Sequence, residues 1–290
     1  ISSGAILNII LDPILINRYA VNGAGISTFV SQILGFGLLY ICTTKRDNIH
    51  INLKYFTLNK EIIGVIVNGG FPSLARQGLN AVSVAVLNFV AINYSVDSLA
   101  AMTVVNRIMS FAISVAIGIG QGFQPVCGIN YGAKQYVRVK EGYLFTTFLC
   151  TITLLCFALV SISFGGSLIK LFANGNQNLE NYDEFMKIGK ELLIYQSIGI
   201  PLFGVNTATN MMLQTTGKSV RATILAIGRQ ALFFIPTLFI FQALWGFKGV
   251  ELAQMVADIL CFIVAIPLAI SFFKELKIED KKEEQKKAAA

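Results

Sequence analysis

The chain has 290 residues, of which 54% are apolar and only 13% are charged, and its formal net charge is +7. Soluble domains carry about 25% charged residues, so this composition excludes an ordinary soluble globular protein. The longest uncharged stretch, residues 142–169, has 28 residues, which exceeds the roughly 20 that a membrane-spanning helix needs. Such stretches are continuously apolar, which also excludes a membrane barrel of alternating strands.

The apolar runs predict an all-α membrane protein with about eight membrane-spanning helices. In chain order these spans are Ser2–Ile16, Ile26–Thr43, Ile62–Ile92, Leu99–Ile129, Tyr143–Leu171, Ile188–Leu213, Ala222–Leu244 and Val250–Phe273. The third and fourth are longer than a bilayer requires, so we expect them to tilt or to extend into the loops.

Lys and Arg are distributed unequally between the two sides of the membrane. One side has 15 Lys and Arg residues, in loops 45–60, 132–141 and 217–221 and in the tail from residue 274. The loops of the opposite side have 5. The positive-inside rule therefore predicts a multi-pass protein of the plasma membrane with a cytoplasmic C-terminus. The basic turn from Gly132 to Lys140 is expected to face anionic lipid, and this distribution argues against nucleic acid as a partner.

Two hairpins of the sequence resemble each other. Each consists of an apolar run with a proline, a polar turn with paired glycines, and a second apolar run. Pro13 pairs with Pro236 at an offset of 236 − 13 = 223, and Gly25 pairs with Gly249 at an offset of 249 − 25 = 224. A repeat of this period predicts two six-helix lobes with a binding cavity between them, in about 450 residues.

The repeat divides the chain into four parts. Residues 1–44 are predicted to be the final two helices of the first lobe, and 62–273 a complete second six-helix lobe. Residues 45–61 would be the cytoplasmic linker between the lobes, and 274–290 a charged cytoplasmic tail. Four helices of the first lobe, about 150 residues in this two-lobe arrangement, are then expected upstream in the same protein.

One group of polar residues lies within the first two spans. Asn8 and Asp12 are one helical turn apart and share a face, and Pro13 frees the carbonyl of Ile9. Thr28 in the next span could add a hydroxyl. Together these groups predict an oxygen-rich site for H⁺ or Na⁺. The alternative is that Asp12 marks the outer end of its helix, where water reaches it.

Further polar groups lie in the later spans, where ionisable side chains are costly and therefore require a reason. Asp258 is predicted to pair with an arginine of another span or to titrate itself. Arg76 with Gln77, and Arg107, could line a cavity or neutralise an acid. The sequence has one histidine, His50, which excludes histidine-based metal sites. It has no Cys-x-x-Cys pair, which excludes paired-cysteine metal sites. No cofactor is expected.

The segment from Gly118 to Lys140 is rich in glycine and glutamine, and its Gly120–Pro125 core is expected to open the helix near the cytoplasmic face. It is not a phosphate-binding loop, because the preceding strand and the closing Gly-Lys-Ser/Thr are missing.

Several motifs resemble the multidrug and toxic compound extrusion (MATE) transporters of Gram-positive bacteria. They are NIILDPILI, GFPSLARQ, VVNRI, QGFQPVCGINYGAKQYVRVK and LQTTGKS. The resemblance implies twelve helices in two lobes, and a monomer that exports small organic cations in exchange for H⁺ or Na⁺. In one branch the cation site includes the positions of Asn8, Asp12 and Thr28. Near Asn80 and Asn206, where another branch places acids, this sequence has no carboxylate.

The predicted function is therefore cation-coupled multidrug efflux by alternating access, and not enzymatic catalysis. A flippase for lipid-linked sugars of the same superfamily is the alternative. That function would require a strongly cationic cavity for pyrophosphate, whereas the three arginines within the spans are dispersed along the sequence.

Overall fold

The computed structural model describes residues 2–45, 59–173 and 181–289, and these residues are almost entirely helical. The helices are α1 (Ser2–Lys45), α2 (Lys60–Ile92), α3 (Val96–Gly132), α4 (Tyr136–Ala173), α5 (Tyr182–Gly199), α6 (Phe203–Thr215), α7 (Ser219–Ile227), α8 (Ile235–Trp245) and α9 (Phe247–Ala289). The chain forms two compact units, residues 1–60 and 61–290, called here the hairpin unit and the bundle unit. Most of the predicted linker, residues 46–58, lies outside the described residues.

The hairpin unit is α1, which folds back on itself at Ala20. There the backbone adopts φ 49° and ψ −130°, so the two limbs run antiparallel. Gly4 of the first limb approaches the backbone of Ser31 and Gly35 so closely that a Cβ at Gly4 would lie 2.8 Å from the Ser31 carbonyl oxygen. Small residues allow helices in a membrane to pack at this short distance.

The bundle unit contains α2 to α9 around an apolar core. The core includes Met102, Ile108, Leu154, Phe185, Leu193, Phe234 and Leu238, all nearly inaccessible to solvent. The outer faces expose large apolar side chains, for example Phe145 and Phe148 on α4. An apolar exterior of this kind suits a protein that is surrounded by lipid.

The predicted all-α membrane fold is confirmed, and six helices among the described residues are long and apolar enough to cross a membrane. They are Asn22–Cys42, Lys60–Ile92, Val96–Gly132, Tyr136–Ala173, Ser219–Trp245 and Phe247–Lys281. The other two predicted spans, Ser2–Ile16 and Ile188–Leu213, are helical but not single long apolar helices. The first ends at the Ala20 turn. The second is divided by a 3₁₀ segment at Ile200–Leu202, which contains Pro201.

The turn between α8 and α9 has the same backbone as the turn of the hairpin unit. Gly246 adopts φ 61° and ψ −135°, close to the values at Ala20. A Cβ at Gly249 would clash with the carbonyl oxygen of Phe241, as a Cβ at Gly23 would clash with that of Leu15. The two turns therefore align at an offset of 246 − 20 = 249 − 23 = 226. This corrects the predicted offsets of 223 and 224.

The helix opening predicted in α3 is absent, and an irregular segment that was not predicted lies between α7 and α8. α3 stays helical through Pro125 to Gly132, so the expected opening of this helix was wrong. Instead the α-helical hydrogen bonding changes at Gly228–Phe234, a π-helical segment between α7 and α8. Pro236 follows this segment and lacks the N–H that a regular α-helix would direct to the carbonyl of Leu232.

Candidate functional site

The hairpin unit brings the predicted residues Asn8, Asp12 and Thr28 together and adds Ser27. The Ser27 hydroxyl donates a short hydrogen bond to Oδ1 of Asp12. When the amide nitrogen of Asn8 faces the carboxylate, it donates to Oδ2 of Asp12 at 3.1 Å, and Asn8 Oδ1 accepts from the backbone N–H of Thr28 at 3.3 Å. The carboxylate is thus held by two neutral donors from both limbs. Among the described residues, no cation forms an ion pair with it.

Sequence reasoning missed Ser27, although it is fully buried between the limbs. A signal was available, because Ala24, Ser27, Ser31 and Gly35 are spaced three or four residues apart and form one small-residue face of the second limb. The hydroxyl of Thr28 is directed to its own helix, where it donates to the carbonyl of Ala24 at 2.9 Å. Asn8, Thr28 and Ser31 also line an open pocket along this hairpin.

The bundle unit contains a second candidate site, a cavity of about 250 Å³ that polar and apolar residues line together. Predicted residues Arg76, Gln77, Asn80 and Asn206 all line it. The remaining polar lining residues are Ser110, Ser114, Thr207, Asn210, Arg229 and Gln230. These polar residues come from α2, α3, α6 and the π-helical segment, so four elements that are distant in sequence line one cavity.

An ion pair lies beside this cavity. Asp258 of α9 accepts from Nε of Arg229 at 2.7 Å, and from the amide of Gln254 at 3.2 Å. The guanidinium of Arg229 also lies over the ring of Phe203, 4.5 Å from its centroid. Both charged side chains are mostly buried, so the two charges compensate each other within the bundle.

Polar side chains connect α2 to the other elements of the bundle unit. Gln230 donates to Oδ1 of Asn80 at 2.9 Å, and Gln214 donates to the hydroxyl of Ser73 at 2.8 Å. Arg76 lies 3.4 Å from Oδ1 of Asn210. Gln230 and Arg229 belong to the π-helical segment, and such segments are frequent at functional sites because they redirect side chains.

The structure changes the interpretation of the arginines. Arg76 and Arg229 were treated as dispersed, but they line one cavity, because α2 and the π-helical segment are adjacent in space. Arg107 is exposed on α3 and lies outside the residues that line this cavity. Asn206 is 4% exposed, and neither polar atom of its side chain has a partner among the described residues.

Comparison with known proteins gives the family. A family model described as MatE matches residues 72–240. The multidrug export protein MepA of Staphylococcus saprophyticus is 29% identical over 287 residues, which cover 97% of this chain and 61% of that protein. MepA of Staphylococcus aureus is 28% identical over 264 residues, covering 90% of this chain and 56% of that protein. The chain thus spans about six-tenths of the length of these relatives.

The fold comparison agrees with the family model. A solved structure of a MOP superfamily transporter from Pyrococcus furiosus superimposes with a TM-score of 0.84, covering 95% of this chain and 62% of that chain at 24% identity. At this identity the likeness concerns the fold alone. Since the family model covers more than half of the sequence, the chain belongs to the multidrug and toxic compound extrusion (MATE) family of membrane transporters.

Proposed function

We propose that this chain forms part of a cation-coupled multidrug exporter, in which the Asp12 site binds the coupling ion. The whole transporter would be a monomer of two six-helix lobes in the plasma membrane, with its C-terminus in the cytoplasm. It would move small organic cations outward by alternating access. Family membership supports transport, and the similarity to multidrug export proteins supports drug-like substrates.

The observation that carries the coupling proposal is the arrangement around Asp12. Its carboxylate is held by Ser27 and Asn8, and no described cation neutralises it. Asp12 also precedes the Ala20 turn by eight residues, which is about 12 Å along an α-helix. An unneutralised carboxylate within a predicted membrane span is costly, so H⁺ or Na⁺ binding there would be favourable.

Ion binding at this site would change the contacts between the two limbs. Na⁺ takes oxygen ligands, as other hard cations do, and the carboxylate and the Ser27 hydroxyl supply them. The Asn8 amide would turn over to present its carbonyl oxygen in place of its N–H. A proton would instead occupy one carboxylate oxygen and weaken its acceptance from Ser27 or Asn8. Either ion would bend or straighten the first limb at Pro13, and this differential binding would shift the population of inward and outward states.

The test uses the full-length transporter in liposomes, with ethidium efflux driven by a proton gradient or, separately, by a sodium gradient. Asp12→Asn keeps the size of the side chain and removes its charge. We expect the efflux of this variant to fall to the level seen without a gradient, because the charge that binds the coupling ion is gone. The gradient that drives the unmodified protein identifies the ion.

Asp183→Asn is the matched control, because Asp183 is an exposed acid in the first turn of α5. It should leave both gradients effective. Undiminished gradient-driven efflux in Asp12→Asn would refute the coupling role of Asp12, while the absence of efflux from the unmodified protein would refute the transport proposal.

A further inference from the structure

The cavity of the bundle unit has an excess of positive charge. Two guanidinium groups, Arg76 and Arg229, line it, and the neighbouring carboxylate of Asp258 is already paired with Arg229. Among the described residues, no carboxylate forms an ion pair with Arg76, whose recorded polar contacts are Asn210 and the sulfur of Met211. The net charge of Arg76, Arg229 and Asp258 is therefore +1, and Arg76 carries the charge that is not neutralised.

The same cavity is lined by buried polar atoms without partners. Both the Nδ2 and Oδ1 atoms of Asn206 lack a hydrogen bond although the residue is 4% exposed. Gln230, which is 5% exposed, uses its amide nitrogen on Asn80 and leaves Oε1 without a partner. Buried polar groups are rarely left unpaired, so these atoms indicate that the cavity holds polar molecules. Among the three atoms, Nδ2 of Asn206 is the donor that an anion would accept from, and the two oxygens would accept from water.

From these contacts we infer that the cavity between α2, α6 and the π-helical segment is a binding site for a small monovalent organic anion, a carboxylate. Arg76 would hold the carboxylate, since the planar guanidinium fork matches its two oxygens. Nδ2 of Asn206 would supply a further donor. The inference goes beyond the proposed efflux function and does not depend on it.

Charge and size both favour this class of ligand. A monovalent anion neutralises the unpaired Arg76, whereas an organic cation would add to the positive charge. A volume of about 250 Å³ accommodates a benzoate-sized molecule beside the apolar lining residues Ile113, Ile117 and Phe203. Arg229 contributes less, because Asp258 occupies its Nε.

The test is a titration of the full-length transporter, in detergent and with a bulky sulfonate as the only other anion, observed by fluorine NMR. The probes are 4-fluorobenzoate, 4-fluorobenzamide and 4-fluorobenzylamine, which have similar shapes but negative, neutral and positive charge. We expect saturable binding of the benzoate that Arg76→Gln weakens at least tenfold. The amide and the amine should show no dependence on Arg76.

Arg107→Gln is the matched control, because it removes an arginine charge from α3 outside the cavity. It should leave benzoate binding within twofold of the unmodified protein. Asn206→Asp provides a second variant if Arg76→Gln fails to fold. It places a carboxylate beside the guanidinium and should abolish benzoate binding.

Three results would overturn the inference. The first is that the unmodified protein shows no saturable binding of benzoate. The second is that neither Arg76→Gln nor Asn206→Asp weakens benzoate binding. The third is that inorganic pyrophosphate displaces 4-fluorobenzoate at a lower concentration than unlabelled benzoate does. The last result would favour a polyanionic ligand. The titration uses neither an ion gradient nor efflux, so failure of the coupling proposal is distinguishable from failure of this one.

Discussion

The hairpin of α1 and the hairpin of α8 and α9 share a turn but differ in chemistry. At the common offset of 226, Asn8, Asp12 and Ser27 correspond to Phe234, Leu238 and Ala253. The last three are almost completely buried and apolar. The comparison shows that one turn geometry can accompany a hydrogen-bonded carboxylate in one hairpin and packed apolar side chains in the other.

The bundle unit retains a carboxylate near its hairpin, but in a different state. Asp258 is paired with Arg229, whereas Asp12 contacts neutral donors. A neutralised acid has little tendency to bind a further cation, because its charge is already satisfied. This difference is consistent with the proposed coupling role of Asp12 and favours a structural role for Asp258.

The largest effect that tests this division is expected at the ion pair. Asp258→Ala leaves Arg229 buried and unpaired, which costs about 3–5 kcal/mol and should lower the thermal unfolding midpoint of the full-length protein strongly. The double variant Arg229→Met with Asp258→Leu should recover most of this loss, since it replaces both charges.

Glu275 offers the matched control for that substitution. It pairs with Lys218 and Arg221 but is about one-third exposed, so Glu275→Ala should cost about 0–1 kcal/mol. Equal losses for Asp258→Ala and Glu275→Ala would contradict a structural role specific to the buried pair.

The shared turn predicts a smaller and symmetrical effect. Gly23→Ala and Gly249→Ala each place a Cβ against a backbone carbonyl of the opposite limb, and each should cost about 1–3 kcal/mol as overpacking does. Gly25→Ala is the control, because nothing lies within 4 Å of a Cβ there. It should be neutral or slightly stabilising.

These three variants also test the register of the repeat. The sequence comparison paired Gly25 with Gly249, whereas the turn geometry pairs Gly23 with Gly249. If Gly25→Ala lowered the unfolding midpoint as much as Gly249→Ala, and Gly23→Ala did not, the offset of 226 would be wrong.

Much of the fold follows from the sequence, because charge is excluded from the lipid interior and long apolar runs must form helices there. Asn8 and Asp12 were identifiable since a one-turn spacing places them on one face. Ser27 was not identified, because its contact with Asp12 depends on how the Ala20 turn sets the two limbs against each other. The cavity around Arg76 and Asn206 joins helices more than 100 residues apart, and local spacing carries no information about such contacts.

The smallest predicted effect concerns Ala20, which shares its backbone conformation with Gly246 but carries a Cβ. Ala20 adopts a positive φ of 49°, where its counterpart is Gly246, and such a conformation costs a residue with a Cβ about 1–3 kcal/mol. Glycine loses about 0.5–1 kcal/mol through its greater freedom in the unfolded chain. Ala20→Gly should therefore stabilise the protein by about 1 kcal/mol, raising its unfolding midpoint by about 1–2 °C. Gly246→Ala should lower the unfolding midpoint by a similar amount. If Ala20→Gly lowered the midpoint as well, alanine at position 20 would not be strained and this prediction would be wrong.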